Sequence, residues 1–136
     1  MVLIDTPIWS LALRRKEADL SAKDRNLVRA LGELIQDSRA QIVGPIRQEL
    51  LSGIREPAHY RKIRDRLRDF SEPSLEIADY EEAARICNQC RSCGFAGSSV
   101  DFLLCAIAHR KRWQIFTIDR DFENYSHCIP LRLYSV

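Results

Sequence analysis

The stretch Val2-Leu3-Ile4-Asp5-Thr6-Pro7 decides the fold. Three consecutive apolar residues, with no polar residue alternating between them, suit a strand buried on both faces, as in a parallel sheet. Thr6 then offers an N-cap, and Pro7 falls where the first helical position tolerates proline. A helix is therefore expected from about Pro7 to Arg15. The chain starts as a strand that feeds directly into a helix.

The same alternation continues outward from this opening. Ser21 offers a second N-cap, with Asp24 three residues on. Leu27, Leu31, Leu34 and Ile35 recur at helical spacing to about Asp37. Gln41-Ile42-Val43 reads as a second strand, and Gly44-Pro45 turns it into another helix that Gly53 ends or packs closely. Arg55 to Arg68 is a basic helical stretch, with Pro57 near its start and Pro73 beyond its end. Leu75-Glu76-Ile77 reads as a short strand. Asp79 is placed to cap the next helix, whose apolar stripe is Tyr80, Ala83, Ala84, Cys87 and Cys90, with Gly94 as terminator. Ser98 or Ser99 caps a further helix. Its body, Phe102-Leu103-Leu104-Cys105-Ala106-Ile107-Ala108, is apolar nearly all round and so should be buried. Arg110, Lys111 and Arg112 suit its C-terminal dipole. Gln114-Ile115-Phe116-Thr117 is a strand, and Leu131-Arg132-Leu133-Tyr134 reads as a last one. Strands separated by helices imply an α/β fold with a largely parallel sheet.

The length of 136 residues fits one domain, residues 1–136, with no repeat or linker. Hydrophobic residues at 46% and charged residues at 29% exclude a disordered chain. A net charge of only +2 gives no global pull on nucleic acid, so any such footprint must be local. No apolar run approaches the roughly 18 residues of a membrane span, and the N-terminus lacks the features of a signal peptide. The cytoplasm is the expected compartment. An odd cysteine count, five, agrees with a reducing one. Cys87, Cys90 and Cys93 form C-x₂-C-x₂-C. An iron–sulfur run would want a fourth cysteine at position 97, which is Gly97. On a helix over 79–92 the three are spread along nearly two turns, so they are expected as small core or near-surface residues.

Four acids fall at strand ends and helix starts, where open α/β sheets form sites. Asp5 follows the first strand, and Glu49 lies about one turn into the helix after the second. Asp101 is in the first turn of the buried helix, and Asp119 follows Thr117-Ile118. Hard cations such as Mg²⁺ and Mn²⁺ prefer carboxylate oxygens. Gathered carboxylates repel, and a bound cation removes that cost. One or two such ions can activate water for phosphodiester cleavage. The competing readings are plain helix capping for Asp101, which stabilises by about 0.5–2 kcal/mol, and a solvated helix face for Glu49.

Taken in order, Val2-Leu3-Ile4-Asp5-Thr6, Pro45-Ile46-Arg47-Gln48-Glu49-Leu50-Leu51-Ser52-Gly53, Asp101-Phe102-Leu103-Leu104-Cys105-Ala106-Ile107-Ala108 and Ile115-Phe116-Thr117-Ile118-Asp119-Arg120-Asp121-Phe122 resemble the PIN-domain family. Within it they resemble the VapC toxins of toxin–antitoxin pairs. The resemblance implies a three-layer α/β/α sandwich around a mostly parallel sheet. It implies Mg²⁺ or Mn²⁺ held by Asp5 and Asp101, with Glu49 and Asp119 completing a catalytic acidic pocket. Asp121 is an alternative to Asp119, and Thr6 and Thr117 match family hydroxyls near the metal. The implied activity is endonucleolytic cleavage of structured RNA, such as tRNA or rRNA, that inhibits translation. The implied partners are a homodimer mate and a cognate antitoxin, with DNA reached only through the antitoxin.

Arg14 and Arg15, beside Lys16, and Arg61 and Arg64, among Lys62, Arg66 and Arg68, are candidate phosphate contacts. The alternative for them is a solvated face balanced by Asp65, Asp69 and Glu72. Trp9 and Trp113 are large enough to stack on bases, but core or dimer packing is the expected role of both. Other functions consistent with the same residues are an RNA-processing nuclease outside a toxin–antitoxin pair, or mainly a regulatory partner in a DNA-binding complex. A phosphoacceptor receiver domain would need an adjacent acidic pair and a later lysine, which the chain lacks.

Overall fold

The structure, a computed structural model, describes residues 1–136. It is α/β. Three parallel strands, β1 (Val2–Ile4), β2 (Ala40–Gln41) and β3 (Gln114–Phe116), hydrogen-bond in the order β2-β1-β3. Seven α-helices alternate with them: α1 (Thr6–Leu13), α2 (Ala22–Gln36), α3 (Gly44–Leu51), α4 (Pro57–Leu67), α5 (Ile77–Ser92), α6 (Ser99–Lys111) and α7 (Asp121–Cys128). A 3₁₀ turn spans Glu17–Asp19. No helix is long and apolar enough to cross a membrane. The chain divides into two compact units. One is Ile4–Pro73 with Val136, and the other is Met1–Leu3 with Ser74–Ser135.

In the unit Ile4–Pro73, α1 packs against α2 and α3, and α3 packs against α4. Its core includes Ile8, Trp9, Leu31, Leu34, Ile46, Leu50, Ile63 and Leu67. Trp9 is buried and meets Phe70 edge-on at 4.9 Å, so it is a core residue, as expected. The start of α1 differs from expectation. Asp5, not Thr6, is the N-cap: its carboxylate accepts the Thr6 N–H at 2.8 Å and its carbonyl accepts from Ile8 and Trp9. A carboxylate at a helix N-terminus outcompetes a hydroxyl because it adds charge to the capping bond. The helix also stops at Leu13, short of Arg15, with Arg14 as its C-cap. Ser21 caps α2 through the Asp24 N–H at 3.1 Å, as expected. The second strand lies earlier than Gln41–Val43, because the Val43 carbonyl already accepts from Ile46 and Arg47 and begins α3. Ile42 and Val43 are fully buried outside the ladder. Glu56 caps α4 through the N–H groups of Ala58 and His59, so this helix runs one turn shorter than Arg55–Arg68.

In the unit Ser74–Ser135, α5 packs along α6, α6 against β3, and α7 against α5. The body of α6 is buried from Phe102 to Ala108, as its sequence demands. Ser98 caps it, accepting the Asp101 N–H at 3.1 Å. Arg112 ends α6 in the left-handed region at φ 57°. Leu131–Tyr134 runs parallel beside β3: Ile115 donates to the Arg132 carbonyl at 2.9 Å and accepts from Tyr134 at 2.8 Å.

Two expectations fail here. Leu75-Glu76-Ile77 is not a strand, since Glu76 is the N-cap of α5 and Ile77 is its first residue. Asp79 is not that cap. It sits at the third helical position and is 1% exposed. Its carboxylate accepts the Glu76 N–H at 2.8 Å and is paired with Arg110 at 2.5 Å. Burial opposes its charge, yet the Glu76 N–H and Arg110 outweigh burial and hold its pKa below the ordinary value. The helix rotates to bury Asp79, Ile86 and Cys90. Of the expected stripe, Cys90 is buried and Ala83 and Cys87 are half-buried, whereas Ala84 and Tyr80, 55% exposed, lie at the surface. The helix α7 was not expected from the sequence.

Candidate metal centre

Three carboxylates gather in the unit Ser74–Ser135. Oxygens of Asp101, Asp119 and Asp121 all lie within 4.8 Å of one another. Local chain chemistry places each. Asp101 is in the first turn of α6, where Ser98 fixes its backbone. Asp119 follows β3, and its N–H donates to the Thr117 hydroxyl at 3.0 Å. Asp121 opens α7, and its N–H donates to the Asp119 carboxylate at 2.9 Å. Asp119 and Asp121 both lie in this group.

Asp101 is half-buried, whereas Asp119 and Asp121 are exposed. Tyr125, fully buried in α7, donates its hydroxyl to Asp101 at 2.9 Å. Burial pushes the Asp101 carboxyl up from its ordinary range, with the like charge of Asp119 adding to it; Tyr125 and Ser98 pull the other way and lose. Burial and the Asp101 charge push the Tyr125 phenol up, so it stays a donor. Gly97 makes room for this arrangement. A Cβ there would collide with the Tyr125 hydroxyl and lie 2.8 Å from the Tyr125 Cζ and 2.9 Å from the Phe102 Cζ.

The unit Ile4–Pro73 holds a second acidic group. Asp5 is 7% exposed at the end of β1. The adjacent Thr6 hydroxyl donates to the Glu49 carboxylate, on α3, across 43 residues of sequence. Thr6 is therefore not the cap of α1 but the link that orients Glu49.

An all-oxygen donor set of several carboxylates, one of them desolvated and raised by its like-charged neighbour, fits a hard divalent cation. A dication at Asp101, Asp119 and Asp121 offsets both the burial cost and the repulsion. Tyr125 is a partner of the kind that orients a metal-ligating carboxylate through its second oxygen. Neither Tyr125 nor Gly97 was singled out in the sequence. The signal for α7 was present, with first-turn acids at Asp121 and Glu123 ahead of apolar Phe122 and Tyr125 spaced three apart.

The basic candidates lie on surfaces of the unit Ile4–Pro73. Arg14, Arg15 and Arg61 are exposed, whereas Arg64 is half-buried and paired with Asp65 at 3.0 Å. Trp113 is half-buried under the Lys111 ammonium, 5.3 Å from its ring centre.

The carboxylates gather beyond the end of β3, where open parallel sheets form their sites. Residues 2–127 match the family model of the PIN domain, and the chain belongs to that family, whose members are in general nucleases. No curated protein matches. Among solved structures, the chain is similar to FitAcB from Neisseria gonorrhoeae at 17% identity and a TM-score of 0.77, over 99% of this chain and 97% of that one. It is similar to FitAB bound to an IR36 DNA fragment at 16% identity and a TM-score of 0.73, over 98% and 94%. It is also similar to a toxin–antitoxin complex from Klebsiella pneumoniae at 17% identity and a TM-score of 0.67, over 90% of each chain. These likenesses show the fold, the α/β/α sandwich that the resemblance implied.

Proposed function

We propose that this protein is a Mg²⁺- or Mn²⁺-dependent endoribonuclease that acts as the toxin of a toxin–antitoxin pair, with residues 1–136 as one catalytic domain. The observation that carries the reading is the convergence of Asp101, Asp119 and Asp121 around a desolvated carboxylate. In this reading Asp5 and Glu49 are also catalytic acids. Asp5 and Asp101 are the principal ligands, with Asp119, Asp121 and Glu49 holding metal or its waters. Such an ion supplies an activated water and offsets negative charge at the scissile phosphate. The protein's own part is positional: Thr6 orients Glu49, Tyr125 orients Asp101, and Thr117 shapes the turn that carries Asp119.

RNA enters through phosphate contacts to the exposed Arg14, Arg15 and Arg61, which carry no sequence information. Arg64 contributes less, because Asp65 already neutralises it. An antitoxin is supported by the toxin–antitoxin complex among the similar structures, and an indirect DNA link by the FitAB structure bound to DNA. A homodimer is supported by the exposed seam of Ile77, Tyr80 and Ala84 on α5, whose spacing of three and four residues is that of a helix contact. The cytoplasm, where translation runs, is the compartment in which such an activity acts. The test is purified protein incubated with total RNA. Cleavage with Mg²⁺ or Mn²⁺ that EDTA abolishes is the expected result. Cleavage unaffected by EDTA, or none with either metal, overturns the proposal.

A further inference from the structure

The catalytic reading leaves the basic end of α6 unused. A cavity of about 420 Å³ opens there, within the unit Ser74–Ser135. Arg112, Arg132 and Trp113 line it together with apolar Pro130 and Leu131, and no carboxylate faces it. His109, also at its wall, already has Glu82 4.0 Å from its Nε2. Lys111, Arg112 and Arg132 enter no ion pair, whereas the neighbouring Arg85 and Arg110 are each bound to carboxylates. Arg132 donates to the Arg112 carbonyl, which holds the two residues together. The Lys111 ammonium stands over the Trp113 ring, 5.3 Å from its centre. Arg112 occupies the left-handed region at φ 57°, where glycine ends a helix without strain. The chain keeps a cationic side chain at this position against that cost.

We propose that this cavity is a second RNA contact, which takes one nucleotide of a single-stranded segment with its phosphate on Arg112 and Arg132 and its base against Trp113. The inference rests on the RNA reading above and adds a site to it. Unpaired cations with no acid among them select an anion, and planar guanidinium groups match phosphate oxygens two at a time. An acidic peptide also supplies anions, but only a nucleotide adds an aromatic ring to stack on Trp113. The volume falls near the lower end of the roughly 300–1,000 Å³ of small-ligand sites, which suits a single nucleotide. Arg112 lies roughly 16 Å along the α6 axis from Asp101. A nucleotide held here is therefore remote from the candidate metal centre, and the contact adds affinity for a long RNA without touching the phosphate that is cut.

The test titrates an oligouridylate into the full chain in EDTA, which stops metal-dependent cleavage, and reads tryptophan fluorescence. Because Arg14, Arg15 and Arg61 are candidate RNA contacts elsewhere, the signal must come from the cavity itself. Trp9 is buried in the other unit, so quenching reports on Trp113. Saturable quenching is expected in wild type and is lost in Trp113→Phe. Arg112→Gly relieves the left-handed position and so keeps the fold. It is nevertheless expected to weaken binding about tenfold, by removing one charged contact. The slope of log affinity against log salt is expected to shrink by about 0.7, the counterion release of one single-strand phosphate contact. Absent quenching, quenching that persists in Trp113→Phe, or wild-type affinity and salt slope in Arg112→Gly each overturns the proposal. Equal quenching by polyglutamate or by uridine monophosphate alone also overturns it. A chain that cuts RNA with Mg²⁺ but shows no quenching overturns this contact alone; one that shows quenching and cuts nothing overturns the nuclease reading and supports the contact.

Discussion

Replacing Asp101 with asparagine separates the cost of gathering acids from what a cation gains by binding them. The amide keeps an acceptor oxygen for the Tyr125 and Ser98 hydroxyls, and the Asp101 N–H still reaches Ser98. What goes is one negative charge within 4.8 Å of two others. Two unit charges at that distance repel by about 3.5 kcal/mol at an effective dielectric of 20 and by about 0.9 kcal/mol in bulk water. Asp119 and Asp121 are exposed, which places each repulsion near the lower figure, about 2 kcal/mol for the two together. In EDTA at pH 7.5, Asp101→Asn is therefore expected to melt above wild type, by about 6 °C for a chain of this length. The pH dependence has a definite sign. Burial, then Asp119, raises the folded-state pKa of Asp101 above its unfolded value, so the folded protein binds the extra proton first. Wild type regains stability as pH falls through that folded pKa, and the advantage of the variant fades on acidification. Added Mg²⁺ is expected to raise the wild-type melting temperature and leave the variant nearly unmoved. Differential scanning fluorimetry across pH, with and without Mg²⁺, measures all three effects. A variant that melts below wild type in EDTA, or an equal Mg²⁺ response in both proteins, refutes the reasoning.

Gly97→Ala is expected to cost about 1–3 kcal/mol, because the new methyl collides with the buried Tyr125 ring; Tyr125→Phe, which deletes the hydroxyl in the way, recovers part of that loss in the double variant by chemical denaturation. Alone, Tyr125→Phe is expected to lower cleavage roughly 10–100-fold, since Asp101 loses the donor that orients it. Asp79→Ala leaves Arg110 with Glu76 alone and removes the acceptor of the Glu76 N–H, and is expected to lower the melting temperature at pH 7. Because the folded-state pKa of Asp79 is depressed, its contribution is present above the ordinary value of 3.8 and is lost as pH falls toward the folded value, so acid unfolding of wild type and variant should converge. Thr6→Val removes the hydroxyl that holds Glu49 and is expected to slow cleavage about tenfold, with Thr6→Ser restoring it in a fixed-time RNA assay.

Most of the α/β order was legible because its signals are local. The unbroken run Val2-Leu3-Ile4, the prolines at Pro7 and Pro45, and the serine caps at Ser21 and Ser98 each act within a few residues. The misreading at the start of α5 comes from competition settled at a distance. Leu75-Glu76-Ile77 has the composition of a strand, but Asp79 bonds back to the Glu76 N–H and pairs with Arg110, 31 residues away, so the segment starts a helix instead. The same ion pair rotates α5 and turns the stripe of Tyr80 and Ala84 outward. At the candidate site, the acids were visible as residue types beside strand ends and helix starts. Their supporting groups were not. Tyr125 lies 24 residues from Asp101, and Thr6 lies 43 residues from Glu49. Neither pairing leaves a periodic trace, and Gly97 matters only because of what Tyr125 does beside it.

The central claim is that Asp5 and Asp101 are each needed for the proposed metal-dependent cleavage. The most direct measurement is Mn²⁺-dependent cleavage of a single RNA by wild type, Asp5→Asn and Asp101→Asn, each first shown by circular dichroism to be folded. The account predicts cleavage by wild type and loss in both variants, by at least about 100-fold for removal of a metal-holding carboxylate. Undiminished cleavage by either folded variant would contradict it.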